Sequence, residues 1–158
     1  FIVFCLIVLL PGPLLAANSN VVSGAVGFML GGDEGWDSIS SDYKVNGCKV
    51  TFKSGNLLFD FVVTDDYSKA NYNSVETGYV NGTNHMVISG KPGIREVTPY
   101  HKNGNPIPED QLIAATLMTG QDFGALSQIS FPISVSVSRV KKALRDVQRE
   151  CPGKTSKY

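Results

Sequence analysis

The chain reads as an α+β domain: a mainly antiparallel sheet of about five strands, with a short helix near 108–119 and a C-terminal helix near 138–150 packed on one face. Three observations carry this. Apolar and polar residues alternate in several short runs, Gly-containing turns separate those runs, and the last segment switches to helical spacing.

The first confident strand is Cys48-Lys49-Val50-Thr51-Phe52-Lys53, where Cys48, Val50 and Phe52 share one face. Residues 57–63 follow across Lys53-Ser54-Gly55-Asn56, a turn with Gly where positive φ is expected. A second hairpin joins 75–80 to 83–89 through Asn81-Gly82, because a type I′ turn needs positive φ at both central positions. Further on, Ile129, Phe131, Ile133, Val135 and Val137 alternate with Gln128, Ser130, Pro132, Ser134 and Ser136, as in a sheet with one wet face. Pro132 has no amide to donate, so its strand belongs at a sheet edge or carries a bulge.

Pro108 and the acids Glu109 and Asp110 suit the positive end of the short helix, Gly120 its stop, and Leu112, Ile113, Thr116 and Leu117 its buried stripe. In the last helix Val140, Ala143, Leu144, Val147 and Cys151 recur at helical spacing, with Ser138 as N-cap and Pro152-Gly153 as stop. The Gly-rich apolar segment 21–36 fits either a strand or a packed loop.

Residues 1–17 hold ten consecutive apolar residues, then Pro11-Gly12-Pro13 and Leu14-Leu15-Ala16-Ala17. That is the apolar core and cleavage region of a secretory signal; a bilayer span needs roughly 20 apolar residues. Cleavage after Ala16 or Ala17 leaves one domain, 18–158, exported to the periplasm or outside the cell, with no stable membrane span. It also removes Cys5. Cys48 and Cys151 are left as an even pair in an oxidising compartment and are expected to bond, tying the first strand to the last helix.

With 14 basic and 14 acidic residues the net charge is zero, which gives no general attraction to nucleic acid. The charge is nevertheless uneven, with seven Lys or Arg against two acids from position 139 to 158. A basic last helix serves either as a solvated face or as a seat for an acidic partner.

Candidate chemistry is sparse. His85 and His101 are the histidines available as general bases, with Asp60, Asp65 and Asp66 as carboxylates to orient them. Asp33, Glu34, Asp37 and Asp42 surround Trp36 and offer oxygen ligands for calcium without the spacing of an EF-hand. Trp36 itself is either an exposed anchor for a partner or a core plug. Ser138-Arg139-Val140-Lys141 and Ser41-Asp42-Tyr43-Lys44 match S-x-x-K without its companion motifs. Asn81-Gly82-Thr83 doubles as an N-glycosylation acceptor. No cofactor motif occurs, and none is expected. These residues favour a non-enzymatic binding or inhibitor module that uses loops or an edge strand to contact a protein or cell-envelope component. The alternatives are a small secreted hydrolase with His85 or His101 as base, and a structural or assembly component of the envelope.

Overall fold

In the computed structural model, which describes residues 16–32, 42–80, 83–120 and 122–153, the alternation resolves into two antiparallel sheets and a helical layer. Helix α1 (Ser19–Gly31) comes first, in the segment that read as either strand or packed loop. The Asn18 side chain caps it by accepting from the Asn20 N–H at 3.1 Å, and Gly32, at φ 64°, ends it.

Strands β1 (Tyr43–Asn46), β2 (Lys49–Gly55) and β3 (Phe59–Asp66) form a meander in which Thr51 faces Thr64 and Phe52 faces Val63. The β2–β3 turn is made by Asn56, whose Oδ1 accepts from the Leu58 and Phe59 amides at 2.8 and 2.9 Å. Gly55, expected to supply a positive φ there, stays in the strand and is not among the positive-φ glycines. A 3₁₀ turn (Tyr67–Lys69) then leads away from this sheet. Strands β4 (Ala70–Val80) and β5 (Thr83–Gly90) form the second hairpin, with Val80 opposite Thr83, while Asn81 and Gly82 themselves lie outside the described residues.

Strand β6 (Arg95–His101) returns beside β3. A 3₁₀ turn (Glu109–Gln111) leads into helix α2 (Leu112–Thr119), followed by β7 (Gly124–Leu126), β8 (Gln128–Pro132) and helix α3 (Val137–Glu150). Among the described residues the sheet orders are β1-β2-β3-β6-β7 and β4-β5-β8. The strand carrying Pro132 therefore lies at an edge, where a missing amide donor costs no ladder bond. It ends at Pro132; Val135 lies beyond it and Val137 already opens α3.

One core joins all these layers. Val22, Val26 and Met29 of α1 and Val140, Leu144 and Val147 of α3 are buried together with Val50, Phe61 and Val63 of one sheet and Met86, Ile88, Ile129 and Phe131 of the other. The stripe expected on the last helix is the observed one, although Ser136 occupies the N-cap position rather than Ser138. Cys48 and Cys151 are disulfide-bonded, with Cα atoms 5.7 Å apart, so the start of the sheet is fastened to the end of α3. On the chain-entropy model, closing a loop of about 100 residues contributes roughly 4–5 kcal/mol. Among the described residues no helix is long and apolar enough to cross a membrane.

The short helix behaves differently. Of α2 only Ala115 is buried; Ile113 and Leu117, expected on a buried stripe, are 75% and 81% exposed.

Candidate functional site: an open strand edge beside a basic helix

Strand β4 is the outer strand of its sheet, and its hydrogen-bonding parity can be read from the bonds around β5. The Ile133 amide donates to the Asn84 carbonyl at 2.6 Å, so even-numbered residues of β5 turn toward β8. The Ser89 amide donates to Ser74 Oγ at 3.2 Å, so the odd-numbered ones turn toward β4. Across the observed register, Glu76, Gly78 and Val80 then bond to β5. Val75, Thr77 and Tyr79 direct their N–H and C=O groups outward, away from β5. Between positions 70 and 75 the register slips, and there the chain satisfies itself: the Asn73 amide donates to Asn71 Oδ1 and Ser74 Oγ donates to the Asn71 carbonyl. The open edge is therefore the stretch 75–80.

Helix α3 runs beside this edge and leaves a groove of about 240 Å³ lined by Tyr72, Val75, Lys141, Leu144, Arg145 and Gln148. A second recess of about 300 Å³ continues it past Asn71 to Arg149 and Gly153. Lys141, Arg145 and Gln148 share a helix face at i, i+4 and i+7, each one position after Val140, Leu144 and Val147, so they flank the buried stripe. Lys141 and Arg145 are exposed and make no ion pair among the described residues, whereas Arg149 is paired with Asp146 and Glu150.

The opposite edge of the same sheet is closed. Arg95 Nη1 donates to the Ser130 carbonyl at 2.7 Å, and Pro132 has no amide. Arg95 is itself held by Asp65 through two bonds of 2.7 and 2.8 Å, with Asp65 fully buried. Burial alone would lower the Arg95 pKa, but the hydrogen bond and charge of Asp65 outweigh it and leave it raised. Beside this pair the Tyr67 hydroxyl is buried without a hydrogen-bond partner among the described residues. Burial first, and the Asp65 charge second, push its pKa well above that of an ordinary phenol.

The residues singled out for chemistry are not brought together. His101 lies opposite Phe59 and packs against its ring at 6.1 Å, while Asp60, the next residue, points to the other sheet face and pairs with Lys102. His85 sits between Gly78 and Pro132 in the other sheet. Asp65 is engaged by Arg95, and Asp66 accepts from the Ser68 amide and hydroxyl. Among the described residues no bond joins either imidazole to a carboxylate. Ser138 Oγ shares a hydrogen bond with Ser136 Oγ, and none links it to Lys141. Trp36, Asp33, Glu34, Asp37 and Ser41 lie outside the described residues, and among the described ones no group of His, Cys, Asp or Glu is arranged to hold a metal. Asp42 pairs with Lys53 at 2.7 Å, which lowers its pKa.

A further cleft of about 560 Å³ on the outer face of the larger sheet is lined by Lys53, Ser54, Asp60, Val62, Tyr100 and Gly104. Its carboxylate is already neutralised by Lys102. The β4 edge was missed by the sequence because edge position is a property of sheet order. The basic helix beside it was visible as an excess of Lys and Arg after position 139. Fold and site together define an α+β domain in which, among the described residues, the edge of β4 lies open beside a cationic helix. No family model, curated protein or solved structure matches the chain.

Proposed function

We propose that this chain is an exported, non-enzymatic binding or inhibitor module that takes an extended segment of a partner protein as an added strand on β4. The observation that carries this reading is the open edge at 75–80, whose outward backbone groups at Val75, Thr77 and Tyr79 offer main-chain hydrogen bonds to an incoming strand. Natural sheets usually blunt such an edge with a bulge, a proline or a covering side chain. This molecule does so at 70–75 and along β8, yet no described residue pairs with the outer edge of 75–80.

Export is supported by the apolar segment 1–17 and by the Cys48–Cys151 bond. Removal of residues through Ala17 leaves α1 whole with its Asn18 cap, and the Asn18 nitrogen lies 3.1 Å from Glu150 Oε2, a carboxylate partner for a new amino terminus. The hydrolase alternative gains nothing from the geometry, since among the described residues no carboxylate is bonded to His85 or His101.

The test is position-specific photo-crosslinking in extract from the protein's own compartment. A benzophenone side chain in place of the exposed Thr77 is expected to capture one partner, and the same group in place of the exposed Leu117 to capture none. Capture at 117 with none at 77, or at neither, overturns the proposal.

A further inference from the structure

The geometry points to an acidic extended segment as the strand that β4 receives, an inference that rests on the strand-addition reading and specifies the chemistry of the partner. A strand laid along 75–80 has one row of side chains on the face of Val75, where the stretch meets the groove between β4 and α3, because alternate residues of a strand take opposite faces. The groove floor is Val75 and Leu144, and its far wall carries Lys141 and Arg145.

Those two cations are one helical turn apart, and like charges at i, i+4 repel. Neither has an acid within ion-pair distance among the described residues, although the same helix pairs Arg149, near its end, with both Asp146 and Glu150. Helix α3 thus spends its acids at its C-terminal end and leaves uncompensated charge where the groove meets the open edge. Glu76, the acid on this stretch of β4, alternates with Val75 and so lies on the face away from the groove. A carboxylate on every second residue of the incoming strand meets Lys141 and Arg145, while its backbone completes the outward bonds of Val75, Thr77 and Tyr79. A basic or neutral strand makes the same backbone bonds and leaves the two cations facing each other.

The experiment uses the oxidised protein and four eight-residue peptides read by fluorescence anisotropy: alternating Val and Glu, its Val/Gln and Val/Lys versions, and the Val/Glu peptide N-methylated at every second amide. The Val/Glu peptide is expected to bind about tenfold more tightly than Val/Gln at low salt, and that advantage shrinks as the Debye length falls to about 8 Å at 0.15 M. The substitutions Lys141→Glu and Arg145→Glu together, at exposed positions that leave the core untouched, are expected to reverse the order in favour of Val/Lys. N-methylation is expected to abolish binding. Equal binding of Val/Glu, Val/Gln and Val/Lys overturns the acidic specificity and leaves strand addition standing. Undiminished binding of the N-methylated peptide overturns strand addition itself. Binding of none of the four overturns both.

Discussion

Helices α3 and α2 are both short, both anticipated from sequence, and differ in almost everything that packing decides. Helix α3 has charge on one side and Val140, Ala143, Leu144 and Val147 on the other, so burying its stripe fixes its rotation and presents Lys141 and Arg145 to the groove. Helix α2, Leu-Ile-Ala-Ala-Thr-Leu-Met-Thr, is apolar nearly all round, and no face is marked as the inner one. It buries Ala115 and leaves Ile113, Leu117 and Met118 in solvent. Amphipathic contrast, more than apolar content, tells a helix which way to face.

The comparison is broken most severely by removing the staple that only α3 has. Replacing Cys48 and Cys151 together by Ser is expected to cost about 4–5 kcal/mol in denaturant unfolding. Next, Leu144→Ala empties a buried site in the shared core and is expected to cost about 2–5 kcal/mol by the same measurement. A loss under about 1 kcal/mol would mean that α3 is not held by its stripe.

Tyr67→Phe sharpens the picture of the core on which α3 rests. It deletes a buried hydroxyl that lacks a partner, so it is expected to be neutral or to gain about 1 kcal/mol at pH 7. The folded phenol has a raised pKa, so its contribution is fully present below the unfolded value of about 10 and is lost as pH climbs from there toward the folded value. Unfolding followed from pH 9 to 11 should therefore show a fall in stability that the Phe variant lacks in part. The smallest effect belongs to α2: Leu117→Ala, at an exposed site, is expected to stay within about 0.5 kcal/mol of the parent.

What was legible in the sequence is what local pattern can encode. The two hairpins follow from alternation, although the first turns at Asn56 and not on Gly55, Pro132 declares its edge by lacking a donor, and the stripe of α3 ends on Cys151, which bonds to Cys48 as expected. Segment 21–36 was ambiguous because α1 mixes Gly with apolar residues on every side, so neither period stands out. The bidentate Asp65 to Arg95 pair joins β3 to β6 across thirty positions and depends on register, which no local pattern carries. The open edge of β4 was hidden for the same reason, since the residues of an edge strand and a central one differ little until the neighbours are known.

The claim that β4 is an open edge that accepts a strand is tested most directly by amide hydrogen exchange along 75–79, in the free protein and with the Val/Glu peptide at saturation. The account predicts that in the free protein the Val75, Thr77 and Tyr79 amides exchange fast while Glu76 and Gly78 exchange slowly, and that the peptide slows the fast set at least about tenfold. Unchanged rates at Val75, Thr77 and Tyr79, with protection arising instead on α2, would contradict it.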